Sequence, residues 1–155
     1  MSDSLIWRGM TAADLPGVAA IAEIVHPAYP EDAGVFRERL ELYPAGCFVL
    51  QAESGLAGYV ISHPWHVLRA PALNTLLGAL PEAPETYYLH DIALLPSARG
   101  TGAGRRILER LYVWPEISLV AVGGSRVFWE RQGFRAVPAP ALEGYGAGVF
   151  MRRRS

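Results

Sequence analysis

Three glycines alternate in the segment Arg99-Gly100-Thr101-Gly102-Ala103-Gly104, which follows an apolar stretch and precedes an amphipathic one. Glycine lacks a Cβ atom and adopts positive φ readily, so the backbone can turn sharply and a ligand can approach its N–H groups closely. A helix that begins here directs its unpaired N–H groups and the positive end of its dipole toward the same turn. The segment therefore predicts a site for a phosphate-bearing ligand, with Arg105 opening the helix.

His90 lies nine residues before this turn, on a strand predicted over residues 87–95. Its ordinary pKa near 6.5 suits histidine to accept a proton at neutral pH. Two interpretations of His90 stay open: a catalytic base, or a core histidine hydrogen-bonded within the sheet. Asp91 is expected to brace a neighbouring element. Regular alternation along a strand places Asp91 on one face and four other side chains on the opposite face, namely Tyr88, His90, Ile92 and Leu94.

The strand and the turn belong to a predicted β–α–β unit with parallel strands, made of residues 87–95, a helix over 102–114 and a strand over 117–122. Upstream, the patterns predict a strand over 5–8, helices from Thr11 or Asp14 to Val25 and over 31–42, and a hairpin of strands 48–52 and 56–62. Downstream follow a short helix over 125–131 and strands over 134–137 and 149–152. Residues 64–85 are expected to form a long functional loop with one helical turn. We predict a single mixed α/β domain over residues 1–155.

The composition excludes two functions that need lysine and indicates the class of ligand. All 14 basic residues are arginine, so Schiff-base chemistry and the lysine of a phosphate-binding P-loop are excluded. The net charge is −1, yet residues 99–135 hold seven arginines against three glutamates. This clustering beside a glycine turn suits a small polyanion better than a nucleic-acid duplex, and we expect no nucleic-acid partner.

Other features predict absences. The single cysteine, Cys47, can form no internal disulfide and is expected to be a core thiol. Only Pro64 and Trp65 separate His63 from His66, without cysteine or carboxylate nearby, so we expect no metal site. No apolar stretch reaches the 18 or so residues of a membrane span, and we expect a cytoplasmic protein without a membrane partner.

A second motif, Ser125-Arg126-Val127-Phe128-Trp129-Glu130-Arg131-Gln132-Gly133-Phe134, follows the next predicted strand. The glycine turn followed by this segment, at this separation, resembles the GNAT superfamily of acetyl-CoA-dependent N-acetyltransferases over about residues 85–137. A dinucleotide-binding fold fits less well, because the third glycine falls one residue early for G-x-G-x-x-G and the turn comes late in the chain. The resemblance implies a mixed, mostly antiparallel sheet with a parallel β–α–β core and helices on both faces.

The resemblance also implies an activity and a set of cofactor contacts. The enzyme would transfer acetyl from acetyl-CoA to a primary amine of a small molecule or peptide, by direct attack in a ternary complex. Backbone N–H groups of the turn would wrap the pyrophosphate of coenzyme A. Its pantetheine arm would pair with the backbone of Ile92, Ala93 and Leu94, and the short helix would flank the same arm through Ser125, Phe128 and Arg131.

For the chemistry, the resemblance implies two further roles. Arylalkylamine-type members carry two histidines at the positions of Tyr88 and His90, facing the acceptor. His90 is therefore the candidate base, acting directly or through a water, and Tyr88 is expected to line the pocket. The acceptor is expected near the junction of the first two helices, the end of the hairpin and the 64–85 loop, with Tyr29, Asp32 and Trp65 as binding residues.

Two departures from the family pattern affect the leaving-group step. Trp129 stands where many relatives have a tyrosine that protonates the departing thiolate, and an indole N–H is no such acid. Val122-Gly123-Gly124 replaces an asparagine often found after the preceding strand. Tyr88, Tyr145 or a water could serve instead, or the thiolate could leave unassisted. A non-catalytic acyl-CoA sensor or partner-binding domain on the same fold, or an inert structural domain, is the alternative, and an exposed sheet edge makes a homodimer plausible.

Overall fold

A computed structural model describes residues 4–138, 142 and 144–155 of the chain. Its strands are β1 (Ile6–Gly9), β2 (Cys47–Ala52), β3 (Gly55–Trp65), β4 (Thr86–Leu94), β5 (Glu116–Ala121), β6 (Arg135–Ala136) and β7 (Val149–Arg154). Its α-helices are α1 (Leu15–Val25), α2 (Ala33–Leu42), α3 (Ala103–Leu111) and α4 (Arg126–Arg131). None of these helices is long and apolar enough to cross a bilayer.

The strands form one sheet in the order β1-β2-β3-β4-β5-β7-β6. Every neighbouring pair is antiparallel except β4 and β5, which are parallel as predicted. These two strands pair only at Tyr87 with Ile117 and at Tyr88 with Ser118. Beyond that point they diverge, and the sheet opens into a wedge beside residues 92–94.

Helices cover both faces of this sheet, as predicted. On one face α1 and α2 pack on a core that includes Val18, Ile21, Phe36, Tyr59 and Ile61. On the other face α3 and α4 pack on a second core, which includes Leu50, Val60, Ile107, Leu108 and Leu119. The Cys47 thiol lies in the first core, and burial raises its pKa to about 12, so it stays protonated and unreactive.

A bulge interrupts β4 at His90. Ile61 of β3 pairs with Asp91, whereas the next residue, Ser62, pairs with Leu89, so His90 is an extra residue. A bulge reverses the alternation of side chains on its far side. His90 and Asp91 therefore both face α1 and α2, whereas Leu89, Ile92 and Leu94 pack on the α3 side. The predicted regular alternation, with His90 and Asp91 on opposite faces, was wrong.

Three other predictions of local structure were also wrong. Pro64 and Trp65 continue β3 instead of starting the loop. Past Ile61 the strand no longer pairs with β2, so Pro64, which has no N–H to donate, lies where that edge of the strand is unpaired. The remaining loop, residues 66–85, contains turns but no helical segment. Its backbone is held by α2 instead, because Glu38 accepts hydrogen bonds from Leu77 N and Gly78 N at 2.6 and 3.0 Å. The predicted 102–114 helix ends earlier, at Leu111.

Candidate active site

A cleft of about 580 Å³ occupies the wedge between β4 and β5. The strand residues Ile92, Ala93 and Leu94 form one side, and residues 119–123 contribute the other. Ser125, Phe128 and Trp129 of the α4 segment line it as well. The cleft runs from the glycine turn to the junction of α1 and α2, so a single elongated ligand can touch both ends.

The glycine turn at one end of the cleft exposes backbone donors. Gly100 and Gly102 have φ of +75° and +85°, a region that glycine adopts without strain, and Gly102 caps α3. Thr101 fixes the turn, because its hydroxyl donates to Ala98 O at 2.5 Å and accepts from Ala103 N at 3.3 Å. Within the described residues no hydrogen bond occupies the N–H groups of Gly102 and Gly104. The turn can therefore bind an anion through its main chain.

The side chains around the turn differ in their positions. Arg99 lines the cleft and donates through Nε to Leu94 O at 3.2 Å. Gly104 also lines it, and a Cβ there would lie 3.4 Å from the Leu94 side chain, which is an ordinary contact distance. Arg105 points into solvent and pairs with Glu109 of its own helix at 3.9 Å. Arg131 is exposed and does not line the cleft.

At the opposite end of the cleft, His90 pairs with Glu31. The His90 Nε2 atom lies 2.8 Å from Glu31 Oε1, and the two side chains are only 1% and 5% exposed. A carboxylate oxygen only accepts, so His90 donates through Nε2–H, and in the neutral ring the lone pair is on Nδ1. Burial favours the neutral form of Glu31, but the hydrogen bond and charge of His90 outweigh it and lower the pKa of that carboxyl.

A second carboxylate–histidine pair lies beside the first. His26, directly after α1, places Nε2 3.1 Å from both Asp91 Oδ1 and the Ile92 carbonyl oxygen. The Tyr59 hydroxyl donates to the other oxygen of Asp91 at 2.6 Å. Burial opposes protonation of His26, but Asp91 and the carbonyl outweigh it and raise the pKa of His26. His26, Glu31, His90 and Asp91 all line the cleft, so two proton-exchanging groups face one ligand.

Two tyrosines lie behind and beside His90. Tyr88 is fully buried and does not line the cleft, and its ring centroid is 6.4 Å from that of His90. Tyr145 lines the cleft, and its buried hydroxyl has no hydrogen-bond partner in the part of the chain that the structure describes. Burial raises the pKa of both phenols, so both keep their protons at neutral pH. Trp129 packs edge-on against Phe128 and Phe134.

The residues predicted to bind an acceptor are split. Tyr29 lines the cleft. Asp32 is exposed outside it, where its N–H donates to Asn74 Oδ1 at 2.7 Å. Trp65 lies in the sheet against His63, with ring centroids 5.3 Å apart. Among the described residues, no group of three or more histidine, cysteine or acidic side chains could hold a metal ion.

Sequence reasoning missed the partners of the histidines. The hydrogen bond between Glu31 and His90 spans 59 residues, so the spacing of residues along the chain does not reveal it. Glu31 also accepts through Oε2 from Asn74 N at 3.0 Å, which ties the 66–85 loop to the same carboxylate. Asp91 was expected to brace a neighbouring element, and it does hold His26 while lining the cleft. The sequence contained one sign of buried charge in this region, because Arg39 falls among the apolar residues on the buried side of α2.

Comparison with known proteins identifies relatives of this fold. The model of the acetyltransferase (GNAT) family matches residues 17–134. A comparison with curated proteins finds no significant match. One similar solved structure is the GphF GNAT-like decarboxylase in complex with isobutyryl-CoA, with 17% identity, a TM-score of 0.80 and an alignment that covers 96% of this chain and 98% of that one. A second is the loading GNATL domain of CurA from Lyngbya majuscula, with 16% identity, a TM-score of 0.78 and coverage of 97% and 98%. A third is the ribosomal-protein-alanine N-acetyltransferase from Escherichia coli, with 19% identity, a TM-score of 0.68 and coverage of 97% and 94%. These likenesses confirm the predicted fold.

Proposed function

Because the chain belongs to the acetyltransferase (GNAT) family, we propose that it transfers the acetyl group of acetyl-CoA to a primary amine of a small molecule or peptide, by direct attack in a ternary complex. One observation carries the proposal: a single cleft has an anion-binding turn at one end and two carboxylate–histidine pairs at the other. A donor and an amine would meet between them.

The described residues fit coenzyme A. Main-chain donors from Gly100 to Gly104 would hold the pyrophosphate, with the adjacent Arg99 adding charge, and Thr101, Ala103 and Arg105 completing the turn. The diverging strands leave the backbone beside residues 92–94 open to a peptide-like arm, which Ser125 and Phe128 would flank from α4. Bound acetyl-CoA supplies an acyl group activated as a thioester.

His90 is the proposed base. An amine with a pKa near 10.4 is almost wholly protonated at pH 7, and removing that proton costs about 4–5 kcal/mol. His90 Nδ1 would take the proton, directly or through a water, while Glu31 holds Nε2–H and stabilises the imidazolium that results. His26 suits the role less well, because its raised pKa keeps more of it protonated at neutral pH.

The acceptor would lie against the acidic end of the cleft. The carboxylates of Glu31 and Asp91 favour an approaching ammonium group before it loses its proton, and Tyr29 adds an aromatic wall. Asp32 and Trp65 would act from outside the cleft, Asp32 through its contact with Asn74. Tyr145 lines the cleft and its buried hydroxyl keeps its proton, so it is the strongest candidate for the acid that Trp129 cannot be.

The decisive experiment incubates the protein with acetyl-CoA and a broad panel of primary amines and measures release of free thiol. We expect turnover with at least one amine, and acetylated product by mass spectrometry. Calorimetry of coenzyme A binding runs in parallel. Binding without turnover on any acceptor would support the alternative, a non-catalytic acyl-CoA sensor. Absence of binding would contradict both.

A further inference from the structure

Arg39 is a buried cation that the reaction described above does not use. It lies on α2, is 1% exposed and packs under the 66–85 loop. Its Nη1 donates to Glu38 Oε1 and to Thr75 O, both at 3.1 Å. Its Nε and Nη2 atoms are buried and have no hydrogen-bond partner among the residues that the structure describes. These two atoms form one edge of the guanidinium, the edge that binds a carboxylate with two parallel hydrogen bonds.

Other buried polar side chains lie within electrostatic reach of this guanidinium. The rings of His63, Tyr88 and His90 form a row with centroid separations of 5.6 and 6.4 Å, and Tyr145 lies next to Tyr88. His63 Nε2, His90 Nδ1 and the Tyr145 hydroxyl are all buried without a partner in the described part of the chain. We call Arg39, His63, Tyr88, His90 and Tyr145 the inner chamber.

The charge of Arg39 reaches these side chains. His63 has its pKa lowered to about 3, first by burial and then by the positive charges of His90 and Arg39. Arg39 also acts electrostatically on Tyr88 and Tyr145. His90 and Tyr145 line the cleft, whereas Arg39 and His63 do not. Because the charge of Arg39 acts on Tyr145, we take the gap between His90 and Tyr145 as the way from the cleft toward the guanidinium.

Leaving such atoms unpartnered is unfavourable. A buried donor without a partner loses the hydrogen bond it had in water, and a charged donor loses more than a neutral one. Arg39 remains charged, because arginine does not deprotonate in proteins. Glu38 balances it on one side only, and both oxygens of Glu31 are occupied by His90 and Asn74. An anion with two coplanar oxygens satisfies the open edge of Arg39, and the Tyr145 hydroxyl is a further donor for it. The unpartnered nitrogens of neutral His63 and His90 are acceptors and do not bind it.

We infer that the inner chamber binds a carboxylate group that a ligand presents from the cleft. This inference rests on the proposed function for its place beside the reacting amine. Two sources share the chemistry: the acceptor, as an amino acid or a peptide C-terminus, or the acyl group of a thioester formed from a dicarboxylic acid. Because the donor atoms of Arg39 are buried, the preference for a carboxylate should depend little on salt.

The first experiment measures binding by calorimetry to the full chain, with and without coenzyme A, comparing propanoate with propanamide and succinate with succinamide. We expect each carboxylate to bind at least tenfold more tightly than its amide. Arg39→Met should abolish that preference, and Arg37→Met, which removes an exposed arginine of the same helix, should keep it. Equal binding of acid and amide to the wild-type protein would overturn the inference, even if Arg39→Met fails to fold. Tyr145→Phe, which should weaken carboxylate binding by severalfold, provides a second variant.

The second experiment identifies the source. Turnover with acetyl-CoA is compared for free amino acids and their amides, and affinity is compared for succinyl-CoA and butyryl-CoA. A tenfold preference for free amino acids assigns the carboxylate to the acceptor, and a tenfold preference for succinyl-CoA assigns it to the donor. Turnover of amines with neither preference contradicts the inference and leaves the proposed function standing. Carboxylate binding without turnover on any amine supports the inference and contradicts the proposed function.

Discussion

The variant Glu31→Gln tests whether the reaction needs the hydrogen bond that positions His90, because His90 itself is still present. The carboxylate accepts from His90 Nε2 at 2.8 Å through one oxygen and from Asn74 N at 3.0 Å through the other. A glutamine of the same shape can accept only one of these bonds, and its NH₂ group then meets a second donor. If the amide oxygen stays on Asn74, His90 must place its lone pair on Nε2 and its proton on Nδ1. Nδ1, the proposed base, would then carry a proton and lose its basicity.

The size of the effect follows from the bond that is lost. A hydrogen bond to a charged group contributes about 1.5–3 kcal/mol, and Glu31 also stabilises the charged imidazolium. At about 1.4 kcal/mol for each factor of ten, a loss of 2–3 kcal/mol lowers kcat by about 30- to 150-fold. Affinity for coenzyme A should stay within about twofold, because Glu31 lies at the opposite end of the cleft from the glycine turn.

Free-thiol release at saturating acetyl-CoA measures kcat for the variant. Glu41→Gln is the matched control, since Glu41 is an exposed carboxylate of α2, the helix that follows Glu31. The folded pKa of Glu31 is below its ordinary 4.5, so the stability from the ion pair is complete above that pH and is lost as pH falls through the folded pKa. The difference in unfolding free energy between wild type and Glu31→Gln should therefore shrink in acid. A variant that turns over within twofold of wild type at pH 7 would refute the role of Glu31.

Two further predictions concern the turn and the fold. Gly102→Ala places a Cβ on a residue with φ +85° at the point where the ligand approaches, and it should weaken coenzyme A binding about tenfold by calorimetry. Gly78→Ala is the control, because Gly78 has a similar φ of +78° but lies in open space; it should lower the stability by a similar amount and leave binding unchanged. Asp14→Asn should lower the unfolding free energy by about 1–2 kcal/mol at pH 7, because two hydrogen bonds from Arg8 lower the pKa of Asp14 to about 2. That stability is present above the ordinary pKa of 3.8 and is lost as pH falls toward 2. In urea titrations, the difference in unfolding free energy between wild type and Asp14→Asn should therefore shrink between pH 5 and pH 2. An equal difference at both pH values would contradict the role of the Arg8–Asp14 pair.

The sequence predicts the parts of this site that depend on neighbouring residues. Alternate glycines between an apolar strand and an amphipathic helix are a local pattern, and the turn, α3 and the parallel β4–β5 pair appear where it places them. The element order and the two-faced sheet follow from the same periodicities. Hydrophobic spacing carries this information because each helix or strand must bury one face.

The end of the cleft that holds the two histidines could not be predicted in the same way. Nothing in the sequence around His90 marks a bulge, since the extra residue is defined by the register of β3, which lies almost 30 residues away. The contacts of His90 with Glu31 and of His26 with Asp91 join separate elements across the sheet. The 66–85 loop adopts its shape from the side chains of α2 rather than from its own composition. Long-range pairs of this kind require the three-dimensional arrangement.

The most direct test of the account is the turnover of His90→Ala with an amine that the wild-type protein acetylates. His66→Ala serves as the control, because His66 lies partly exposed outside the cleft. A positioned base contributes about 10²–10⁴-fold, so we expect kcat to fall at least tenfold while the Kd for coenzyme A stays within twofold. His66→Ala should match wild type in both measurements. Unchanged kcat in His90→Ala would show that His90 is a structural histidine of the sheet and would contradict the proposed mechanism.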